Sequence, residues 1–266
     1  MLLYICIALG ALPALVVMAY FDRLDAKRPE PRSTLRKVAF AGGVAVLPCI
    51  LIEVVLDKVG PHGGYGAAMF KGFVVAAMVE ELAKVLCMRW FVWNRPEFDE
   101  RMDGITYATR AGLGFALVEN VGYLMQQKGL AQLAVVFMMR ALLAVPGHAI
   151  YAGIMGYCAS RKRFDGKGIG LAGGYLIAVL LHGGYDSAVF VALEAHHRHQ
   201  DLLTVCLLPI PLFIVIIGGV VLRGMVLLAT KADDEAAARG QLAYAPTVAF
   251  PGPPPPQYPP QSPPRY

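Results

Sequence analysis

Seven long apolar runs constrain this chain more than any motif does. They fall at about 2–21, 38–56, 67–93, 104–125, 131–158, 169–194 and 202–228 of the 266 residues. Each reaches or passes the ~20 residues that cross ~30 Å of hydrocarbon. Backbone in lipid must satisfy its own hydrogen bonds, so runs of this length fold as helices. The expected fold is all-α: a polytopic transmembrane helical bundle of about seven spans. Hydrophobic residues at 57% against 16% charged leave too little polar surface for a soluble globule of this size. The first run has no basic segment before it and is too long for a signal-peptide core, so it reads as a span.

The loops orient the bundle. Arg23, Lys27, Arg28, Arg32, Arg36 and Lys37 follow the first run, Arg95 and Arg101 the third, and Arg161, Lys162, Arg163 and Lys167 the fifth. The alternate loops hold only Lys58, Lys128 and Arg198. The positive-inside rule then places the N-terminus outside and the C-terminus in the cytoplasm. This bias accounts for the net charge of +5 without a nucleic-acid partner. The five cysteines, Cys6, Cys49, Cys87, Cys158 and Cys206, all lie inside apolar runs with no CxxC spacing. That pattern points to small apolar packing residues rather than disulfides or a zinc ribbon.

Two domains follow: a helical membrane domain over 1–229 and a Pro-rich tail over 230–266. The tail, ending PGPPPPQYPPQSPPRY, has a composition that resists core formation and suits disorder or polyproline II. It reads as a solvated cytoplasmic segment, with recruitment of a cytoplasmic partner as the alternative.

Several charges interrupt the apolar runs. Glu80 and Glu81 lie near the middle of the third, where each buried carboxylate costs roughly 2.5–3.5 kcal/mol on insertion scales. At ~1.5 Å per residue, Glu80 and Glu81 lie ~19 Å from the inner end of their run, His148 ~17 Å, His182 ~20 Å and Glu119 ~22 Å. Four helices thus bring titratable groups to one depth, near the midplane and slightly outward. Lys84 is one turn from both glutamates, Phe115 one turn from Glu119, and Asp186 one turn from His182. Arg140, far from a span end, is expected to neutralise a carboxylate. Glu53, Lys71, Arg89 and Arg223 read as anchors near span ends, and His62, His196, His197 and His199 as outer-loop residues.

A glutamate in a low-dielectric site can serve as a general base. Histidines at the same depth can bind a metal, position water or stabilise an oxyanion. This set suits a hydrolase, and it suits equally a transporter that uses the carboxylates as a proton relay. A scaffold for membrane partners is the third class, with the tail as its contact surface.

Four ordered motifs decide between these classes by resemblance. Glu80-Glu81-Leu82-Ala83-Lys84 has the form EExxK, and Phe115 to Asn120 the form FxxxEN. Arg140 and His148 lie in RALLAVPGHAIYAGIMGY, and His182 to Asp186 has the form HxxxD. In these positions and in this order the chain resembles the PrsW family of bacterial intramembrane proteases, relatives of the CAAX prenyl endopeptidases. The resemblance covers roughly residues 1–228. It implies a multi-pass cell-membrane peptidase that cuts membrane-anchored proteins, as in the first cut of a single-span anti-sigma factor. It implies a catalytic set of Glu80, Glu81, Glu119, His148 and His182, supported by Lys84, Phe115, Asn120, Arg140 and Asp186. Glu80 would activate the water and Glu81 would assist it. The family is described both as metallo- and as glutamic protease. With no HExxH in the chain, metal-free catalysis is the preferred expectation. If zinc is used, its candidate ligands are Glu80, His148 and His182.

Overall fold

The computed structural model describes residues 2–241 and is helical, with no strand among the described residues. Helix α1 spans Leu2–Leu24 and α2 Arg32–Val59. Gly64–Phe91 is one helical run, in which α3 (Gly64–Phe70) and α4 (Val79–Phe91) flank π-helical turns at Lys71–Met78. Helix α5 is Arg101–Met125. A second continuous run joins α6 (Leu130–Met139) to α7 (Val145–Asp165) through π-helical turns at Arg140–Ala144. Helices α8 (Gly170–His197), α9 (Asp201–Leu207) and α10 (Ile210–Ala238) complete the bundle.

All seven expected runs are helical, with shifted ends. The last is broken between α9 and α10, where Pro209 and Pro211 each lack a backbone donor. Helix α10 continues through Ala238, and residues 242–266 of the Pro-rich segment lie outside the described residues. Five helices are long and apolar enough to cross a membrane: Leu3–Leu24, Arg32–Val59, Leu130–Asp165, Gly170–His197 and Asp201–Ala238. The other two runs, Gly64–Phe91 and α5, carry more polar side chains. For α5 the physical reason is position. Every residue from Met102 to Ala116 is buried, against α7, α2, α1 and α10. A helix screened from lipid has no need of an apolar surface.

Small residues make that central position possible. A Cβ on Gly156 of α7 would stand 1.9 Å from the Gly104 carbonyl of α5, and one on Gly114 of α5 would stand 2.0 Å from the Ala39 carbonyl of α2. Only glycine allows backbones this close, which is the usual packing device of helices in lipid.

Ion pairs gather the start of α5, the end of α7, the α1–α2 loop and the end of α10 at one end of the bundle. Asp233 of α10 accepts from the Arg101 and Met102 amides, both at 3.0 Å, and so caps α5 from another helix. Arg101 also pairs with Asp165, and Arg28 with Glu100 and Asp234. Asp25, just beyond α1, is buried here and accepts from the Thr106 hydroxyl at 3.2 Å. Burial first, and then the Glu30 and Glu100 carboxylates, push its pKa up from 3.8 to about 8. A carboxyl whose pKa is raised by folding stabilises the fold in full below its unfolded value. That contribution is lost as pH rises through the folded value, here across about 4 to 8. Asp25→Asn, which keeps an acceptor for Thr106, is therefore expected to match the wild type near pH 4 and to melt at higher temperature above pH 8. Thermal melts in detergent at both pH values test this. A variant less stable than the wild type at the higher pH would refute it.

Candidate active site

Two wide turns precede the polar centre. The π-helical stretch Lys71–Met78 ends just before Glu80, and Arg140–Ala144 ends just before Pro146 and His148. Such turns are frequent at functional sites because they re-aim the residues that follow. Pro146 offers a local cause for the second, since it has no N–H to give the preceding turn. At the first, the Tyr175 hydroxyl donates to the Met78 carbonyl at 3.0 Å. Gly72 and Gly183 allow close approach there: a Cβ on Gly72 would lie 2.4 Å from Ser187 Oγ, and one on Gly183 2.1 Å from the Phe73 ring.

The side chains that follow these turns converge. Glu80, Glu81, Lys84, His148 and His182 are buried, as is Asn120. Lys84 is the hub. Its Nζ donates to Glu81 Oε1 at 2.6 Å, lies 2.8 Å from His148 Nδ1 and 3.5 Å from Glu80 Oε2. It also stands 4.8 Å from the centre of the Phe115 ring, a cation–π contact. An ammonium has only donors, so His148 Nδ1 accepts and its Nε2–H donates to Glu119 Oε2 at 2.9 Å. Arg140 pairs with the same Glu119 oxygen at 2.6 Å, hydrogen-bonds Asn120, and lies 4.0 Å over the Tyr123 ring. Arg110 of α5 pairs with Asp22 of α1 and not with this cluster. His182 stands between two carboxylates, with Nδ1 2.9 Å from Glu81 Oε1 and Nε2 3.3 Å from Asp186 Oδ2. The two imidazoles meet edge to face, 5.2 Å between centroids.

The ten residues singled out from the sequence therefore form one connected cluster, drawn from α4, α5, the second π-helical stretch, α7 and α8. The depth argument anticipated the meeting of helices, and the EExxK spacing anticipated Lys84 between its glutamates. Sequence reasoning missed Tyr151, whose ring stacks on His182 at 5.3 Å and 22°. It also missed Tyr123 beneath Arg140. Tyr151 is three residues after His148, a same-side spacing that would have flagged it.

The carboxylates are not equivalent. Glu81 Oε1 receives both Lys84 and His182, and Glu119 Oε2 receives both Arg140 and His148. No side-chain hydrogen bond reaches Glu80 among the described residues; its Oε2 is buried without one, as is Glu81 Oε2, and lies 3.5 Å from Lys84 Nζ. A carboxylate tied to two donors is held in place, whereas one that receives no hydrogen bond remains open to a water proton.

The matches to known proteins span the region that holds these residues. A model of the PrsW family, described as intramembrane metalloproteases, matches residues 30–228. The chain belongs to the PrsW family. Protease PrsW of Geobacillus kaustophilus is 34% identical over 182 residues, covering 68% of this chain and 77% of that protein. Those of Clostridioides difficile and Bacillus subtilis are 32% and 33% identical, covering 69% of this chain and 78% and 82% of theirs. No solved structure matches the chain. As a PrsW protein with five apolar membrane-crossing helices, this is a multi-pass membrane peptidase.

The PrsW description as a metalloprotease raises the question of a metal. Glu80, His148 and His182 offer ligand atoms within 4.8 Å of one another, the right donor types for zinc. Both histidines also meet neighbouring side chains. His182 Nδ1 lies 2.9 Å from Glu81 Oε1, and its Nε2 lies 3.3 Å from Asp186 Oδ2. His148 Nδ1 already accepts from Lys84, and its Nε2 donates to Glu119. The ammonium beside Glu80 and His148 occupies the electrostatic role that a cation would take. Were zinc bound, Glu80, His148 and His182 would hold it, and it would supply Lewis-acid chemistry at the site.

Proposed function

We propose that this chain is an intramembrane endopeptidase that cuts single-span membrane proteins with a water activated by Glu80, without a metal. The uncommitted Glu80 Oε2, beside carboxylates that are all hydrogen-bonded to cations or imidazoles, carries this reading. Glu80 takes one proton from the water as its oxygen bonds to the scissile carbonyl carbon, and the carbonyl π electrons move to oxygen. When the tetrahedral species collapses, the C–N bond breaks and Glu80 returns the proton to the leaving nitrogen. Lys84 supplies positive charge next to the developing oxyanion, with His182 packed beside it between Glu81 and Asp186. Glu81, Glu119, Asn120, Arg140, Phe115 and Asp186 hold Lys84 and the two imidazoles in place.

Seven spans, with the Arg101–Asp165–Asp233 end of the bundle in the cytoplasm, complete the proposed topology. The basic loops gather at that end, as the positive-inside rule requires. The substrate class implied by the PrsW resemblance is a membrane-anchored anti-sigma factor. The Pro-rich tail is proposed as a solvated cytoplasmic segment outside the peptidase domain.

The test is cleavage of a tagged single-span substrate by the purified full chain in proteoliposomes, before and after chelation. Cleavage is expected to persist at the same rate after chelator treatment, with no stoichiometric metal by elemental analysis. One bound zinc whose removal abolishes cleavage would overturn the metal-free mechanism.

A further inference from the structure

Acyl transfer needs a donor aimed at the carbonyl oxygen as it becomes an oxyanion, and removal of one such donor typically costs about 10²–10³ in kcat. The N–H groups nearest Glu80 are already engaged. Lys84 donates to Glu81 and His148, His148 donates to Glu119, and both ring nitrogens of His182 face the carboxylates of Glu81 and Asp186. Asn120 Nδ2 is turned to the Gly10 carbonyl at 3.4 Å. One buried donor in contact with this cluster is left over. Tyr151 is 2% exposed, and its hydroxyl has no hydrogen-bond partner among the described residues. Its ring lies flat on His182, and the phenol reaches back along α7 to the level of Gly147 and therefore of His148. A Cβ on Gly147 would come within 2.9 Å of that hydroxyl, so the glycine leaves the room in which the phenol lies.

A buried hydroxyl without a partner is destabilising by about 1–3 kcal/mol. Phenylalanine would fill the same space on His182 without that penalty. The hydroxyl is unnecessary to packing, which directs attention to what it can donate to.

We propose that Tyr151 is a catalytic residue of this peptidase, donating its phenolic hydrogen bond to the scissile carbonyl oxygen. The inference rests on the peptidase reading given above. The hydroxyl keeps its proton throughout. It donates weakly to the ground-state carbonyl and strongly to the tetrahedral oxyanion, while the water proton travels to Glu80 and then to the leaving nitrogen. The flat stacking on His182 fixes the plane of the phenol, and the Gly147 notch sets the height of its oxygen along α7.

The experiment compares wild type, Tyr151→Phe, Gly147→Ala and Glu80→Gln as full-length chains in proteoliposomes with one single-span substrate. Tyr151→Phe is expected to lower kcat by about 10²–10³-fold, with KM unchanged and thermal stability equal or higher. Gly147→Ala, whose methyl displaces the hydroxyl, is expected to lower kcat while retaining the ring. Wild-type kcat in Tyr151→Phe would overturn the proposal, and so would a loss of kcat that tracks a fall in melting temperature. A fully active Tyr151→Phe beside a silent Glu80→Gln rejects the role of Tyr151 alone. Absence of any cleavage by wild type across single-span substrates would remove the peptidase reading, and the Tyr151 role with it.

Discussion

Glu80→Gln is expected to abolish cleavage, lowering kcat by about 10²–10⁴-fold, the usual contribution of a general base. The substitution nearly preserves shape. Glu80 makes one 3.5 Å contact with Lys84 and accepts no hydrogen bond at Oε2, so little structure depends on its charge. KM and melting temperature should therefore stay close to wild type, the pattern of an interaction made in the transition state. Glu81→Gln is the informative contrast. Its Oε1 carries both Lys84 and His182, so activity and stability should fall together. Cleavage by Glu80→Gln at the wild-type rate would assign the base elsewhere. Proton flux through the wild type in proteoliposomes, without cleavage, would instead favour a carboxylate relay.

Lys84→Met is expected to produce the largest loss of stability. The ammonium is completely buried and bonded to a completely buried Glu81 at 2.6 Å. Removing one partner of such a pair leaves an uncompensated charge, at about 3–5 kcal/mol. His148 Nδ1 loses its donor and Glu80 its nearest cation as well. For a chain of this size the loss corresponds to a fall of roughly 6–20 °C in melting temperature. The double variant Lys84→Met with Glu81→Gln should recover part of the loss, because it removes the stranded carboxylate too. Thermal melts of the two variants in the same detergent check both statements. A Lys84→Met protein that melts with the wild type would show that the pair does not hold the cluster.

Legibility differed between elements for identifiable reasons. The helices with lipid-facing surface, α1, α2 and α8, are plain in the sequence because lipid demands continuous apolar residues. The third and fourth runs are less apolar, yet they hold the glutamates. Helix α5 tolerates Arg110, Glu119 and Asn120 because its neighbours screen it from lipid. The π-helical turns were not legible, since no residue pattern at Lys71–Met78 announces a wider turn. Asp233 as a cap for α5 was equally hidden, because its partners lie more than a hundred residues away.

The sequence by itself determined that this chain is a membrane-embedded helical bundle with titratable groups inside several of its apolar runs. Chain length per span and the high cost of charge in hydrocarbon leave few alternatives, and four ordered motifs named the family. Only the tertiary structure decided which of the two neighbouring carboxylates takes the hydrogen bonds. Glu80 and Glu81 are adjacent and chemically identical in sequence. The hydrogen bonds from Lys84 and His182 go to Glu81, and no local rule states which of two neighbours a distant helix will reach. The same holds for Tyr151, an unremarkable tyrosine until α8 lays His182 against its ring.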